Sequence, residues 1–257
     1  MTSLLRIGAR GSKLSLAQTE LTCATLAKHL GVGSSDLEII PITTSGDRIQ
    51  DRVLIEAGGK GLFTKELDEA LRDNRIDLGI HSLKDLPTLL PDDIALACVP
   101  EREDPRDAFV SHAARSLEDL PAGANVGTAS LRRQAQVLFA RPDLGVVVMR
   151  GNVDTRLRKL EAGEADATFL ALAGLKRLGM ESRATSLVDP YDTPPAACQG
   201  ALAITSRADD KRVREFLHGF ENAAARLEIE AERAFLAALD GSCRTPIAAL
   251  ARCTNGE

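Results

Sequence analysis

Cys243 lies in Asp240-Gly241-Ser242-Cys243-Arg244-Thr245-Pro246, a glycine-containing loop just past a helical pattern. Its thiolate is a candidate nucleophile, because a neighbouring Arg244 lowers a thiol's pKa when the two are close in space. An unreactive thiol is the competing reading. A second candidate is His81-Ser82-Leu83-Lys84-Asp85-Leu86-Pro87, which follows the strand-like Ile76–Ile80. In α/β sheets the carboxyl end of a strand opens into a crevice. An Asp85 lined by cations stays ionised there and pairs with a developing positive charge. The alternative is an exposed Lys84–Asp85 pair contributing little. His81 alone is more often structural than catalytic.

Basic residues concentrate between Val126 and Lys159: Arg132, Arg133, Arg141, Arg150, Arg156, Arg158 and Lys159. Within that stretch only Asp143 and Asp154 oppose them, a net charge of +5. Arg132 and Arg133 fall in the first turn of a helix capped by Ser130, where cations work against the helix dipole by about 0.3–1 kcal/mol. A bound anion held by free backbone N–H groups and guanidinium forks offsets that cost. Arg150-Gly151-Asn152 forms a similar turn. Two readings remain open: a solvated basic face, or a pocket for a ligand bearing several carboxylates or phosphates.

Other chemistries lack their motifs. Gly58-Gly59-Lys60-Gly61 does not have the spacing of a phosphate-binding P-loop, and Gly8-Ala9-Arg10-Gly11 misses the dinucleotide fingerprint. No Ser-His-Asp arrangement or zinc-protease motif points to a hydrolase, and no metal is expected. A net charge of −5 and 3% aromatics argue against nucleic acid and anionic membrane as partners. Five widely spaced cysteines suggest neither a disulfide framework nor a zinc site, and reduced thiols fit a reducing, cytoplasmic compartment. The N-terminus shows no apolar signal region, and no apolar run approaches membrane-spanning length.

The elements that must carry these residues read as α/β. Leu4–Ala9, Leu37–Thr43, Ile76–Ile80 and Ile94–Val99 are strand-like, with helices expected over Leu14–Leu30 and Phe63–Leu71. Gly31 suits the position just past the first helix. After the charged, proline-framed Pro100–Pro105 come a short strand ending at Gly127, a helix from Ser130 through Ala140, and a strand over Val146–Met149. A helix capped by Asn152, a strand over Thr168–Leu172 and a short helix to Leu178 follow. Pro190–Pro195 marks a second crossing, before a strand over Ala201–Thr205. A last helix over Ala225–Leu239 sets Phe235 and Leu239 on one face and ends at Gly241.

Two crossings with αβ units on either side suggest two lobes of the periplasmic-binding-protein type around a ligand cleft. The expected division is 1–100 with 200–218 as the first lobe, 101–195 as the second, and 222–257 as a small α+β third domain.

Eight segments in order carry a family resemblance. They are Arg10-Gly11-Ser12, GGKGLFTKEL (58–67), HSLKDLP (81–87), VGTASLRRQ (126–134), RGNVDTRLRKL (150–160), LAGLKRLG (172–179), QGAL (199–202) and LDGSCRTPIA (239–248). Over nearly its whole length the chain resembles porphobilinogen deaminase. The resemblance implies a transferase of haem biosynthesis that condenses four porphobilinogen molecules into hydroxymethylbilane and releases four ammonia. The primer would be a dipyrromethane cofactor bound by a thioether to Cys243.

Lys84, Ser130, Arg132, Arg133 and Arg156 match ligands of the cofactor carboxylates. Arg10, Ser12, Arg150 and Arg177 match groups holding the incoming ring or the growing chain, and Phe63 matches a ring packed at the substrate site. Asp85 matches the catalytic carboxylate, which would hydrogen-bond pyrrole N–H groups and stabilise a cationic methylene-pyrrolenine. Arginine forks suit a polycarboxylate better than lysine point charges. A monomer is expected.

Two departures stand out. Cys198 occupies the position where the family usually has a glycine before Gln-Gly. Family members commonly continue for several dozen residues past position 257, so the third domain is expected to be incomplete, with an unpaired sheet edge. Two competing readings are a non-catalytic two-lobed protein binding a small carboxylate, and an inactive shortened deaminase.

Overall fold

The computed structural model describes residues 3–48, 63–241 and 245–254. β1 (Leu5–Arg10) runs into α1 (Lys13–Leu30). Ser12 caps that helix by accepting from the Ser15 N–H at 3.3 Å, and Gly31 ends it with φ of 67°. Such a side-chain cap contributes roughly 1 kcal/mol, and the left-handed end costs a glycine nothing sterically. β2 (Leu37–Ile42), α2 (Ser45–Arg48), α3 (Lys65–Arg72), β3 (Leu78–Ser82) and β4 (Ile94–Cys98) follow.

The chain then builds β5 (Asp107–Ser111), β6 (Asn125–Gly127), α4 (Leu131–Ala140), β7 (Gly145–Val147), α5 (Val153–Glu161), β8 (Ala167–Ala171), α6 (Leu172–Arg177) and β9 (Ser186–Leu187). It returns through β10 (Leu202–Arg207) and α7 (Lys211–Leu217), and α8 (Ala223–Ala238) completes the described elements.

Two mixed sheets result, in the order β2-β1-β3-β10-β4 and β7-β6-β8-β5-β9. β1 lies parallel to β2 and β3, and β6 parallel to β7 and β8, as expected of units with crossover helices. β10 pairs antiparallel with both β3 and β4, so the returning chain is inserted into the first sheet. β5 is antiparallel to β8 and β9.

Each sheet has its own core. Leu5, Ile7, Leu26, Leu78, Ile80 and Val213 fill the first. Phe109 and Phe169 meet edge-on at 5.4 Å between centroids in the second, beside Val126 and Val137.

Several expectations are corrected. β5 was not expected, although all five of its residues are buried. The strand expected over Ile76–Ile80 runs over Leu78–Ser82, and that over Val146–Met149 over Gly145–Val147. The last helix forms as expected, α8 burying Ala225, Ile229 and Glu232 and leaving the face shared by Phe235 and Leu239 47% and 52% exposed. Ala225 and Ile229 pack with Leu83, Leu86, Val99 and Ala201, so this helix supports the turn that carries Lys84 and Asp85.

No strand follows β10 among the described residues. Instead Ala249 N–H donates to the Pro195 carbonyl at 3.1 Å, and Ala251 N–H to Glu232 Oε1 at 2.9 Å. Cys198 has φ of 64°, a left-handed backbone that favours glycine and costs other residues roughly 1–2 kcal/mol. Its N–H donates to Glu232 Oε2, which holds the turn in place.

Candidate active site

Lys84 and Asp85 lie in the 3-10 turn that continues β3 at the carboxyl end of the first sheet. Ser82 donates to Gln18 Oε1 at 3.1 Å, and His81 Nε2 lies 3.0 Å from Thr205 Oγ1. Burial, reinforced by the positive charge of Arg10, pulls His81 down to about 4. The ring is therefore neutral at physiological pH, in keeping with a structural role.

Arg10 ends β1, and its guanidinium carbon sits 4.1 Å from the centroid of the Phe63 ring, a cation–π contact. Arg10, Ser12, Phe63 and Asp85 line one cavity of about 50 Å³, together with Gln18 and His81. Four residues expected to touch substrate thus converge on one space. Among the described residues the Asp85 carboxylate makes no side-chain hydrogen bond.

The basic cluster approaches from the second sheet. Ser130 Oγ caps α4 by accepting from the Arg133 N–H at 3.5 Å, leaving its own O–H as a donor. Arg132 and Arg133 are both buried and both reach Asp107, at the start of β5. Arg132 Nη2 donates to Oδ2 at 2.8 Å, and Arg133 Nη2 to Oδ1 at 2.7 Å. Burial opposes a charge on Asp107, but Arg133 and Arg132 outweigh it and hold the carboxyl well below the usual carboxylate range.

This corrects the reading of the basic stretch. A third carboxylate, distant in sequence, opposes its charge, and the anion facing these two guanidinia is the chain's own Asp107. The pairing is incomplete: Arg132 Nε and Arg150 Nη1 are buried without a hydrogen-bond partner.

The remaining cations belong to the same electrostatic group. Burial pushes Lys84 down to about 8, countered by Asp85, and Arg132, Arg133 and Asp107 also act on it. Burial pushes Arg156 down to about 10, with Arg133 and Arg150 acting in the same direction and Asp85 against. Arg156 Nε donates to the Gly151 carbonyl at 2.9 Å. Residues 85, 132 and 156 are therefore linked through Lys84 and Arg133. Arg177 Nη2 donates to the Gly200 carbonyl at 2.6 Å, on the returning crossing.

Cys243, with Ser242, Arg244 and the Gly58–Leu62 part of GGKGLFTKEL, lies outside the described residues. Gly241, two positions earlier, is described: its carbonyl accepts from the Thr88 hydroxyl at 2.8 Å. Arg233 Nη2 on α8 donates to the carbonyls of Pro87 and Thr88 at 3.1 and 2.6 Å.

Sequence reasoning missed Asp107 and Gln199. The signal for Asp107 was an acid opening the short apolar run Ala108-Phe109-Val110, since a charge at the mouth of a buried strand needs a partner. Gln199 stood inside a quoted motif without a role.

Known proteins resemble this chain in two ways. The family description "Porphobilinogen deaminase, dipyromethane cofactor binding domain" matches residues 5–215, and "Porphobilinogen deaminase, C-terminal domain" matches 226–257. A porphobilinogen deaminase of Caulobacter sp. (strain K31) is 60% identical over 253 residues, covering 96% of this chain and 79% of the relative. That of Phenylobacterium zucineum is 54% identical over 253 residues, with the same coverage.

Among solved structures, a periplasmic substrate-binding protein of an ABC transporter from Coxiella burnetii aligns with a TM-score of 0.52 at 15% identity, covering 87% of this chain and 94% of its own. The methionine binding protein MetQ aligns at 0.51 and 13% identity, covering 96% and 98%. These two share the two-lobed fold with this chain, and the likeness extends no further than the fold.

Proposed function

The chain belongs to the porphobilinogen deaminase family, and from that premise we propose that Asp85 is its catalytic carboxylate, set between a substrate cavity and a cluster of cations. The reaction is a transfer: four porphobilinogen molecules are condensed into hydroxymethylbilane, four ammonia are released, and dipyrromethane is the cofactor. The observation carrying the assignment is the convergence of Asp85, Arg10, Ser12 and Phe63 on one cavity beside Lys84.

The residues present fit the cofactor. Its carboxylates need buried donors, and Arg132 Nε and Arg150 Nη1 are buried donors lacking acceptors. Lys84, Ser130, Arg132, Arg133 and Arg156 would hold it, and Cys243 would bear its thioether. When bound, it supplies the nucleophilic pyrrole carbon that substrate extends.

The chain's own residues do the rest. Arg10, fixed against Phe63, and Ser12 would grip the acetate and propionate of the incoming ring. Arg150 and Arg177 would bind the carboxylates of the lengthening product. Asp85 would accept a pyrrole N–H and face the cation that develops on the substrate as ammonia departs. A fixed negative charge in a partly buried site acts there without the reorganisation that water requires.

We further infer three units with boundaries 1–100 with 200–218, 101–195, and 222–257, and a monomer working in the cytoplasm. The chain crosses once to the second sheet and once back, which supports the division into units.

Ammonia release from porphobilinogen tests the assignment. Asp85→Ala is expected to lower it by roughly 10²-fold or more, while the intact mass still carries a dipyrromethane adduct that Cys243→Ser abolishes. Parent-level release by Asp85→Ala overturns the assignment.

A further inference from the structure

We propose that Gln199 is the positioning residue that joins the two halves of the cation cluster, its amide oxygen holding the Lys84 ammonium and its amide nitrogen the Asp107 carboxylate. The inference rests on the reading of Lys84, Arg132 and Arg133 as the seat of the cofactor carboxylates.

Gln199 is 1% exposed. Lys84 Nζ donates to its Oε1 at 3.1 Å. Its Nε2 donates to Asp107 Oδ1 at 2.8 Å and to the Pro105 carbonyl at 2.7 Å. These partners fix the amide's orientation. A flipped amide would set N–H against an ammonium and oxygen against a carboxylate and a carbonyl.

The residue cannot swing aside. Its carbonyl accepts from Arg102 Nε at 3.0 Å, and its N–H donates to the Ala196 carbonyl at 3.0 Å. The next residue, Gly200, has φ of 89°, and a Cβ there would lie 2.2 Å from the Glu103 carbonyl oxygen.

Its position gives the contact a purpose. Lys84 follows β3 of the first sheet, Asp107 opens β5 of the second, and Gln199 lies on the returning crossing between them. The two side chains that would otherwise adjust independently are tied through one amide. Neutrality matters as well. Asp85 and Asp107 face Lys84 with negative charge, and Arg132 and Arg133 with positive charge. An amide supplies an acceptor without cancelling a cation intended for a carboxylate, whereas a glutamate would neutralise one and an apolar residue would leave the ammonium unsupported.

The test is an NMR titration of the full chain labelled with 13C at lysine Cε, the Lys84 signal being assigned with Lys84→Arg. Gln199→Leu removes the acceptor, so the neutral amine gains and proton affinity should fall about tenfold. Gln199→Met fills a similar volume without an oxygen acceptor for the ammonium, so proton affinity should fall there as well. A Gln199 that merely fills space lowers the melting temperature and leaves the Lys84 midpoint at its parent value. That result for Gln199→Leu overturns the proposal. Should Gln199→Leu fail to fold, Gln199→Met decides: a lowered midpoint supports the proposal and an unmoved one overturns it. Failure of the underlying reading is separate, since it appears as a parent chain that releases no ammonia and carries no adduct, whatever the titration gives.

Discussion

Arg133 grips Asp107 with two prongs, Nη2 on Oδ1 at 2.7 Å and Nε on Oδ2 at 3.2 Å, in an interior where both side chains are almost wholly buried. The pair explains how two adjacent arginines are tolerated in the first turn of α4. Arg132 shares the same carboxylate, so the local charge is two cations to one anion. One positive charge is left over, and that surplus suits a seat for a ligand carboxylate.

Asp107→Asn should therefore be severe. It leaves two buried guanidinia facing an amide, and breaking a buried pair by removing one partner costs about 3–5 kcal/mol. Urea unfolding at neutral pH checks the loss. A change below about 1 kcal/mol would show that the arginines relax to water instead.

The pH dependence of stability has a distinct signature from His81. Its folded value of about 4 lies below the ordinary value of 6.5, because burial and Arg10 disfavour the imidazolium. Between those values the unfolded chain binds the proton and the folded chain does not. Stability is full above 6.5 and falls as pH drops toward 4, by about 3 kcal/mol from this residue. Asp68 has the opposite trend: burial raises it to about 6, so the folded state takes up its proton first. Comparing the parent with His81→Gln cancels that contribution. The parent's advantage over the variant should shrink by about 3 kcal/mol between pH 7 and pH 4 in matched urea titrations, and a constant difference would refute a neutral buried His81.

Local features of the fold were legible in the sequence. Ser130 and Asn152 act as caps at the expected positions, because a cap is decided by four or five consecutive residues. The turn after β3 was legible for the same reason, and with it Lys84 and Asp85. What escaped was non-local. Asp107 meets Arg132 from 25 residues away and Lys84 through Gln199, and no periodicity encodes such a meeting. β5 was hidden because its apolar run is three residues long and follows the charged Pro100–Pro105. On α8 the buried face was not legible either: a glutamate occupies a buried position, and its partner Arg102 lies 130 residues earlier.

That Arg102 supports the next prediction. Its side chain is 3% exposed, and Nη1 reaches Glu232 Oε1 at 2.8 Å and Glu228 Oε2 at 3.1 Å. Glu232 also accepts from the N–H groups of Cys198 and Ala251, so it joins α8, the returning crossing and the last described segment. Arg102→Leu leaves Glu232 buried without a cation and should cost about 3–5 kcal/mol. Limited proteolysis of the folded variant should cut first near residues 245–254, because that segment loses its anchor. Parent-like resistance there would contradict the anchoring role.

The contact of Thr88 with Gly241 is weaker, and its consequence is functional. Thr88 lies three residues after Asp85, and Gly241 two before Cys243. The 2.8 Å hydrogen bond therefore ties the turn proposed to be catalytic to the backbone leading to Cys243, the proposed attachment residue. A single neutral hydrogen bond is worth about 1 kcal/mol net, so Thr88→Val, which keeps the shape, should lower stability by no more than that. Placement of reacting groups is more demanding than stability, since a shift of about 1 Å can cost 10²-fold in rate. Thr88→Val is therefore expected to retain the cofactor adduct and a near-parent melting temperature, yet to lose roughly tenfold or more in kcat for ammonia release. Thr88→Ser, which keeps the hydroxyl, should recover most of it. Equal kcat for the parent and Thr88→Val would mean that the cysteine loop is positioned by other contacts, with the Arg233 clamp on Pro87 and Thr88 as the next candidate.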